Sequence, residues 1–481
     1  MGLSLLGLTI LVVLVLDVVT VLTVIFLERR NPDSVIAWLF AIVALPIVGV
    51  GAYLIFGFKY FKARDFRTKS ARDRSIYERV TKGQEPGLPD ETSRQLPALT
   101  SNLDMARMLW ADGGSILTTG NSVDYFTSGD AMFAALFEAI AHAKHHIHLE
   151  YYLLQNDALV ERLLTTLEAK AKEGVEVRLL YDDLGNKVPR LRYRRFAKAG
   201  GHVSSFYRGL APAIGFRINY RNHRKIAVID GALGFIGGFN LGEDYLGLGP
   251  LGAWRDTTVR IRGDAVKGLQ LRFSLDWHWA TKEDVPLLPA YFPKGEPTGT
   301  ASIQIVSGGP DTPWDPPREQ YLKMVYSAKR TCYLQTPYFI PDSSILTALR
   351  MAALSGVDVR VMIPTKPDHP LVHWANLSNV GELLEAGVRV FSYDDGFLHA
   401  KTITVDDIVT SVGSTNWDLR SFKWNFESNA IIYDAKLGVQ YRGIFEQDMM
   451  RCTEITREAY GARPRSTRIK ESLCRLMSGV L

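Results

Sequence analysis

Cysteine is scarce in this sequence, which has three (Cys332, Cys452 and Cys474) among 481 residues. Three cysteines so far apart exclude a disulfide-stapled fold, and they lack the paired close spacing of a zinc site. A large excess of one charge sign is also missing, because 56 Lys and Arg are nearly balanced by 51 Asp and Glu. The sequence shows no concentration of basic and aromatic residues that would form a nucleic-acid-binding surface, so we expect no nucleic-acid partner.

A disorder-promoting composition is likewise absent. Hydrophobic residues make up 47% of the chain and charged residues 22%, which excludes an intrinsically disordered or collagen-like protein. The length of 481 residues corresponds to about three domain-sized units. The sequence therefore predicts a folded protein built from several parts.

Two long apolar runs lie at the N-terminus. Residues 5–27 contain one ionisable group, Asp17, and residues 35–57 contain none. As helices, both runs would be long enough to cross the ~30 Å hydrocarbon core of a bilayer. No basic segment precedes the first run and a second run follows at once, which argues against a cleaved signal peptide. We therefore predict a two-helix transmembrane hairpin in residues 1–57, with a tight turn at Glu28–Asp33.

The segment after the second apolar run is basic. Its basic residues, opposed only by Asp65 and Asp73, are Lys59, Lys62, Arg64, Arg67, Lys69, Arg72 and Arg74. Positive charge beside a span is retained in the cytoplasm, so we expect a multi-pass protein of the cell membrane whose remaining chain is cytoplasmic. Anionic headgroups would attract the same charges. A stop-transfer signal without lipid selectivity is the alternative, and the sequence leaves both open.

The rest of the chain is an imperfect duplication. Gly174–Leu180 (GVEVRLL) resembles Gly356–Met362 (GVDVRVM), and Phe273-x-x-Asp276 has a counterpart in Phe445-x-x-Asp448. Each copy alternates helical segments with β-rich apolar runs, which predicts an α/β fold. Two copies of a long period indicate two similar lobes rather than a solenoid.

Each lobe contains the pattern His-x-Lys-x-x-x-x-Asp. The two copies are His223, Lys225 and Asp230, and His399, Lys401 and Asp406. Both lead into β-branched apolar runs that indicate strands, in which side chains at i and i+2 share a face. The histidine and lysine should therefore enter one cavity, whereas the aspartate should pin the strand and its turn. A fixed cation beside an imidazole that can attack or carry a proton suits phosphate chemistry.

A small-residue turn ending in asparagine follows each pattern, and an acid follows each turn. The asparagines are Asn240 and Asn416, and the acids are Asp256 and Glu427. Glycine in these turns lets the backbone approach an anion, and an asparagine amide can donate to a phosphate oxygen. A carboxylate bound to one ring nitrogen of a histidine makes the other nitrogen a better nucleophile. We therefore predict that these four residues bind phosphate and orient the histidines.

A group of histidines suggests a metal site as an alternative. Its members are His142, His145, His146 and His148. The second copy has Ser327, Arg330, Thr331 and Tyr333 at those places, and the spacing straddles a predicted helix–strand junction. We therefore predict no metal.

Together, these features resemble the phospholipase D superfamily and, within it, the bacterial cardiolipin synthase family. The closer match lies in Arg29–Pro32 (RRNP), in Asn219–Lys225 (NYRNHRK) and in Gln335–Pro341 (QTPYFIP). Gly396–Lys401 (GFLHAK) and Asn416-x-Asp-x-Arg-Ser421 extend it. The resemblance covers nearly the whole chain.

The resemblance implies two pseudo-symmetric α/β sandwich lobes that share one active site. One histidine would attack phosphorus to form a phosphatidyl-histidine, and the other would protonate the leaving alcohol and deprotonate the incoming one. By analogy His223 is the expected nucleophile and His399 the acid/base, although the near-symmetry of the halves leaves the reverse open. The groups expected to hold the phosphoryl oxygens are Lys225, Lys401, Asn240 and Asn416. These positive groups do what a metal does elsewhere, so no metal or other cofactor is expected.

The activity that this resemblance implies is a reversible transfer in which two phosphatidylglycerol molecules give cardiolipin and glycerol. A phospholipase D that passes the phosphatidyl group to water or another alcohol would use the same residues and remains the alternative. The tandem apolar runs argue against a nuclease, and the retention of both histidines argues against a non-catalytic scaffold. A bacterial inner-membrane location follows from the resemblance, and a homo-oligomer is left open.

These observations divide the chain into five predicted parts. They are a hairpin (1–57), a basic juxtamembrane segment and linker (58–110), an N-terminal lobe (111–295), a C-terminal lobe (296–460) and a basic amphipathic tail (461–481). The tail places apolar residues at helical spacing between basic ones. Such a helix could lie on an anionic membrane or pack on the second lobe.

Overall fold

The computed structural model describes residues 5–27, 32–53, 60–80, 97–207 and 220–476. The chain divides into two compact units, residues 1–78 with 209–219 and residues 79–208 with 220–481. Some sequence-based predictions fall outside the described residues: part of the turn (28–31), Lys59, much of the linker (81–96), Asn219 and the end of the tail (477–481).

The helices follow the apolar periodicity of the sequence. They are α1 (Leu5–Leu22), α2 (Pro32–Ala44), α3 (Pro46–Ala52), α4 (Tyr60–Val80), α5 (Pro97–Thr100), α6 (Leu103–Gly113), α7 (Gly129–His142), α8 (Ala158–Lys172), α9 (Arg190–Lys198), α10 (Val266–Thr281), α11 (Pro316–Ser327), α12 (Ser343–Leu354), α13 (Pro370–Ser378), α14 (Val380–Glu385), α15 (Leu419–Lys423), α16 (Ala435–Met449), α17 (Arg457–Gly461) and α18 (Arg465–Leu476).

The strands are short and mostly buried. They are β1 (Leu117–Phe126), β2 (His146–Tyr151), β3 (Glu176–Tyr181), β4 (His202–Ser205), β5 (Arg221–Asn222), β6 (Ile226–Ile229), β7 (Leu233–Gly237), β8 (Trp254–Arg255), β9 (Thr258–Arg262), β10 (Ala301–Gly308), β11 (Thr331–Gln335), β12 (Phe339–Ile340), β13 (Asp358–Pro364), β14 (Arg389–Tyr393), β15 (Phe397–Leu398), β16 (Thr402–Val405), β17 (Val409–Gly413), β18 (Trp417–Asp418), β19 (Asn425–Tyr433) and β20 (Cys452–Ile455).

The helices of the first unit differ from the two continuous spans that the sequence predicts. A π-helical turn, Thr23–Leu27, follows α1. The second apolar run is divided at Leu45 (φ −136°, ψ 72°) between α2 and α3, because a proline such as Pro46 disfavours helical geometry at the residue before it. Within the described ranges, no helix is both long enough and apolar enough to cross a membrane. The predicted hairpin is therefore not confirmed.

Among the described residues, a 16-stranded sheet organises the second unit, and two small sheets, β12 with β18 and β15 with β8, lie outside it. The strand order is β20-β14-β13-β11-β16-β17-β19-β10-β1-β9-β7-β6-β2-β3-β4, with β5 paired to β19. In the first copy β2 pairs parallel with β3 and antiparallel with β6. In the second copy β11 pairs in the same two ways with β13 and β16. The predicted α/β duplication is therefore confirmed.

Each lobe has its own hydrophobic core. Side chains from α7, α8, β2 and β3 form one core, and side chains from α11, α12, β11 and β13 form another. A third cluster, which includes Val228, Val259, Ile303 and Ile432, lies where the strands of the two lobes meet. The shared strands and this cluster fix the lobes against each other.

Residues predicted as the end of the linker belong to the second lobe's core. Leu99, Met105 and Leu109, from α5 and α6, pack in that core. The Gln304 amide on β10 donates to the main-chain oxygens of Ala106 (3.0 Å) and Ser115 (2.8 Å). The chain thus contributes to the second lobe before it builds the first.

The tail forms the predicted amphipathic helix, α18, and packs on α13. Cys474 is buried against Ala375, and Lys470 Nζ lies 5.1 Å from the ring centroid of Trp374. Of the two interpretations of the tail, packing on the second lobe is the one that the structure displays. Ile469, Leu473 and Leu476 remain exposed.

Candidate active site

Each motif histidine follows a two-residue strand that pairs with the other lobe. β5 pairs parallel with the start of β19, and β15 pairs parallel with β8. The His223 amide donates to Phe426 O at 2.9 Å, and the His399 amide donates to Arg255 O at 2.7 Å. The main chain beside each histidine is thereby fixed next to the residue that precedes the other lobe's acid.

This pairing gives each imidazole a carboxylate from the opposite lobe. His223 Nδ1 lies 2.9 Å from Glu427 Oε1, and His399 Nδ1 lies 2.6 Å from Asp256 Oδ2. Both carboxylates are fully buried. Because Nδ1 is engaged in each ring, Nε2 is the nitrogen that can meet a ligand. The sequence identified the four residues but not their exchange between lobes.

Burial and these partners set the charge states. Burial lowers the pKa of His223 to about 4, and it holds the pKa of His399 well below its ordinary value. Burial also raises the pKa of Asp256 to about 6. For Glu427, burial acts upward, but the charge and hydrogen bond of His223 bring the pKa below its ordinary value. Near neutral pH the site therefore holds uncharged imidazoles beside ionised carboxylates.

The two motif lysines lie buried next to their histidines. Lys225 Nζ donates to His223 O at 2.6 Å, and Lys401 Nζ donates to His399 O. Lys225 Nζ also lies 5.3 Å from the ring centroid of Tyr152. Burial lowers the pKa of Lys401 to about 8 and holds the pKa of Lys225 well below its ordinary value. Lys401 therefore keeps most of its charge at neutral pH.

The motif aspartates lie at the far ends of β6 and β16. Asp230 accepts from the amides of Lys144 (2.8 Å), His145 (2.8 Å) and His146 (2.9 Å). Asp406 makes the equivalent three bonds, to the amides of Lys329, Arg330 and Thr331. Both have a positive φ, 53° and 54°, so each ends its strand and anchors the start of the neighbouring strand.

One cavity of about 660 Å³ brings the remaining site groups together. His223, His399, Asn240 and Asn416 all line it. Asn240 accepts from the Leu153 amide at 3.2 Å and donates to the Tyr245 hydroxyl at 3.0 Å. Asn416 Oδ1 is buried and has no hydrogen-bond partner among the described residues.

Aromatic side chains that the sequence analysis did not single out surround the histidines. The Tyr152 ring lies 5.0 Å from the His223 ring, and the Trp254 ring lies 5.1 Å from the His399 ring. The Tyr245 hydroxyl lies 3.2 Å from His399 Nδ1. The sequence could have indicated Tyr245 and Trp254 only by their position, because both fall between the predicted site residues Asn240 and Asp256.

Two buried arginines hold the main chain at the two acids. Arg224 Nε donates to Glu427 O at 3.2 Å, and Arg255 Nη1 donates to Asp256 O at 2.5 Å. The partner of Arg224 is Asp276 (2.5 Å), and the partner of Arg255 is Asp448 (Nε–Oδ1 3.0 Å). These aspartates end the two Phe-x-x-Asp sequences of the duplication. The repeated motif therefore supports the acids that contact the histidines.

Two members of the histidine group, His146 and His148, lie in the packed interior of the first lobe, whereas His142 and His145 are exposed. His148 stacks on Phe273 (4.5 Å between ring centroids) and lies 3.2 Å from the Gln270 side-chain oxygen. His145 and His146 contact each other through their Nδ1 atoms at 2.8 Å. Across the described parts of the chain, no three such side chains are placed to hold a metal ion.

Comparison with known proteins identifies the family. A family described as "Cardiolipin synthase, PLD-like domain" matches residues 136–265 and 321–449, and one described as "Phospholipase_D-nuclease N-terminal" matches residues 15–57. The major cardiolipin synthase of Bacillus subtilis (strain 168) is 44% identical, over 97% of this chain and 98% of its own. The chain belongs to the cardiolipin synthase family.

Other members and a solved structure agree with this assignment. Cardiolipin synthase 1 of Staphylococcus aureus (strain COL) is also 44% identical, over 97% of this chain and 96% of its own. The crystal structure of a phosphatidylserine synthase from Haemophilus influenzae Rd KW20 matches with a TM-score of 0.58 at 15% identity, covering 75% of this chain and 95% of that one. At that identity the likeness shows the fold alone, which is the two-lobed phospholipase D-like α/β fold.

Proposed function

We propose that this protein is a phosphatidyltransferase that joins two phosphatidylglycerol molecules into cardiolipin and releases glycerol. The observation that carries the proposal is the pair of imidazoles, each held by the other lobe's carboxylate, that line one cavity. Membership of the cardiolipin synthase family supports the substrate and the product.

The proposed reaction proceeds in two displacements at one phosphorus. His223 Nε2 attacks the donor's phosphorus and the bond to the headgroup oxygen breaks. His399, which binds a proton at Nε2 together with the anionic phosphodiester, gives that proton to the headgroup oxygen as glycerol leaves. His399 then takes a proton from a hydroxyl of the second phosphatidylglycerol, whose oxygen attacks phosphorus and releases His223. One phosphodiester replaces another, so the transfer is reversible and requires no nucleotide.

The surrounding groups are proposed to act on the charge that builds up on the phosphoryl oxygens. Both lysines can donate hydrogen bonds, and Lys401 keeps most of its positive charge at neutral pH. The Asn240 and Asn416 amides can donate hydrogen bonds as well. Asp230 and Asp406 contact the backbone outside the cavity, so we propose a purely structural part for them. These protein groups can serve the reaction without a cofactor.

The products formed from phosphatidylglycerol test this proposal. Purified protein in mixed micelles should convert phosphatidylglycerol to cardiolipin and glycerol in equal amounts, and added glycerol should drive the reaction backward. His223→Ala and His399→Ala should each abolish both directions. Phosphatidic acid without cardiolipin would instead identify a phospholipase D that transfers to water.

We further propose that residues 1–57 attach the enzyme to the bacterial inner membrane as a two-span hairpin. Support comes from the uncharged run at 35–57, the single ionisable group in 5–27 and the basic residues beyond them. The lobes, proposed as 111–295 and 296–460, would then face the cytoplasm, joined to the hairpin by 58–110 and followed by the tail 461–481.

Single-cysteine labelling tests this topology. A cysteine at Asp33, in the predicted turn, should react with a membrane-impermeant maleimide in intact spheroplasts, whereas one at Lys198, in the first lobe, should react only after lysis. Reaction at both positions before lysis, or at neither, would contradict the hairpin.

A further inference from the structure

Exposed leucines from separate segments surround the mouth of the cavity. Lys187, Pro250 and His369 both line the cavity and are exposed, so they mark its opening. Leu184 lies three residues before Lys187, and Leu248 lies two residues before Pro250. Leu371 lies two residues after His369. A chain of two or three residues spans at most ~11 Å, so each of the three leucines lies within that distance of a residue at the opening.

The exposure of these leucines calls for an explanation, because all three belong to segments at one opening. The exposed fractions of Leu184, Leu248 and Leu371 are 60%, 71% and 48%. Single exposed leucines are ordinary, but an apolar group contributed by three segments around one opening indicates an interaction surface.

The tail helix extends this surface. α13 begins directly after His369, and its residue Val372 lines the cavity. α18 packs on α13 through Cys474 and exposes Leu473 (58%) and Leu476 (82%). α13, which contributes Val372 to the cavity wall, therefore carries the tail helix and its exposed leucines.

The helices α9 and α18 carry more basic than acidic residues. Arg192 and Arg195 are paired with Glu161 and Glu168 of α8, and the exposed acid Asp183 precedes Leu184. α18 has four basic residues and one acid, Glu471, which is buried and paired with Arg463 at 2.8 Å. α9, which begins three residues after Lys187, carries five basic residues and no acid. Leucines among arginines and lysines match the acyl region and the anionic headgroups of a bilayer.

We infer that the leucines of the cavity mouth, with Leu473 and Leu476 of α18, insert into the surface of an anionic bilayer and place the cavity directly against its lipids. This inference rests on the proposed function, since it is a phospholipid substrate that must enter the cavity. It would let both lipid molecules reach the histidines without their acyl chains crossing water.

A matched pair of labelled variants tests the contact directly. A fluorescent probe is attached to Leu248→Cys or Leu473→Cys in the full chain, with Cys452→Ser because the other two cysteines are buried. Leu354→Cys is the control: it is 69% exposed and ends α12, which leads away from the cavity to the amino end of β13. In phosphatidylglycerol proteoliposomes, nitroxides on the acyl chains should quench the probes at 248 and 473 but not at 354.

Activity separates membrane contact from damage to the site. Leu248→Asp with Leu371→Asp should lower turnover of bilayer phosphatidylglycerol about tenfold or more, since each change removes a leucine from the apolar phase and would place a charge there. The same variant should keep its turnover of short-chain phosphatidylglycerol dissolved as monomers. Leu354→Asp should match the unsubstituted protein on both substrates.

Each contrary outcome overturns the inference. Equal loss on both substrates would mean that the leucines support the cavity itself. Unquenched probes at 248 and 473 would mean that this surface faces solvent. Probes that quench one another between labelled copies would mean that a second copy of the chain binds there. If the unsubstituted protein made no cardiolipin from either substrate, the proposed function would fail, while lipid quenching would still report the contact.

Discussion

Arg224 Nη1 lies 2.5 Å from Asp276 Oδ2 in the interior of the second unit, and both side chains are almost fully buried. The same guanidinium donates to the main-chain oxygen of Glu427, whose carboxylate contacts His223. Helix α10 is thus connected through one arginine to the acid of the other lobe. On the other side Asp448 contacts Arg255, which donates to the main-chain oxygen of its neighbour Asp256, the acid that contacts His399. Here the arginine belongs to the lobe of the acid rather than to the lobe of the histidine.

Removing the charge of Asp276 should destabilise the fold strongly. Asp276→Asn leaves Arg224 and Arg272 buried without their carboxylate, and breaking a buried pair in this way costs about 3–5 kcal/mol. Guanidinium unfolding in detergent measures the loss. Asp124→Asn, at a half-exposed surface pair with Arg260, is the control and should cost less than about 1 kcal/mol. Equal effects of the two variants would contradict the role assigned to this pair.

Neutralising either histidine's acid should impair the reaction far more than the fold. Glu427→Gln and Asp256→Asn keep the side-chain shape but no longer fix the tautomer and orientation of the ring, which should lower kcat about 10²- to 10⁴-fold. Initial rates of cardiolipin formation measure this effect, and the thermal midpoint serves as the control for folding. A loss of less than about threefold in both variants would show that the carboxylates are not needed.

The transfer rate should be greatest between about pH 6 and pH 8. Burial raises the pKa of Asp256 to about 6, so the ionised acceptor for His399 is present above that pH and is lost as the pH falls through it. Burial lowers the pKa of Lys401 to about 8, so its charge is present below that pH and is lost as the pH rises through it. The pH dependence of kcat/KM measures both limits.

A lysine-to-arginine variant tests whether Lys401 is the group that sets the alkaline limit of kcat/KM. In Lys401→Arg the guanidinium stays charged throughout, so the rate, although lower, should no longer fall above pH 8. An alkaline limit that remains in place would assign it to another group.

The motif aspartates should matter for stability and not for chemistry. Asp230→Ala leaves three main-chain donors without their acceptor and places alanine at a positive φ, which together should cost about 2–4 kcal/mol. Asp230→Asn should cost less, because asparagine tolerates this conformation and keeps an acceptor oxygen. Turnover per folded molecule should stay normal in both variants, and a specific loss of kcat would contradict a structural role.

The sequence was most informative where its signal is local. The strands Ile226–Ile229 and Thr402–Val405 follow from β-branched residues, and the duplication predicted two similar α/β lobes. Equivalent positions in two copies also drew attention to Asp276 and Asp448 before any contact was known. Such features can be predicted because they depend on residue types within one short segment of the chain or on the same segment occurring twice.

Long-range relationships were beyond the sequence. Nothing local to Glu427 shows that it meets His223 rather than His399, because the exchange depends on β5 pairing with β19 across the lobes. Likewise, α6 precedes the first lobe in sequence yet packs in the core of the second. The second apolar run divides at Leu45 because of Pro46, which the sequence-based prediction treated as tolerable within a membrane span.

Trapping the covalent intermediate tests most directly whether the two histidines flank one phosphorus. The protein is mixed with phosphatidylglycerol labelled at phosphorus and at its acyl chains, quenched within milliseconds, and mapped by peptide. We predict one phosphatidyl group per chain on His223, absent from His223→Ala and chased into cardiolipin by unlabelled phosphatidylglycerol. Label on both histidines of one chain, or on a residue outside the cavity, would contradict a single site shared by the lobes.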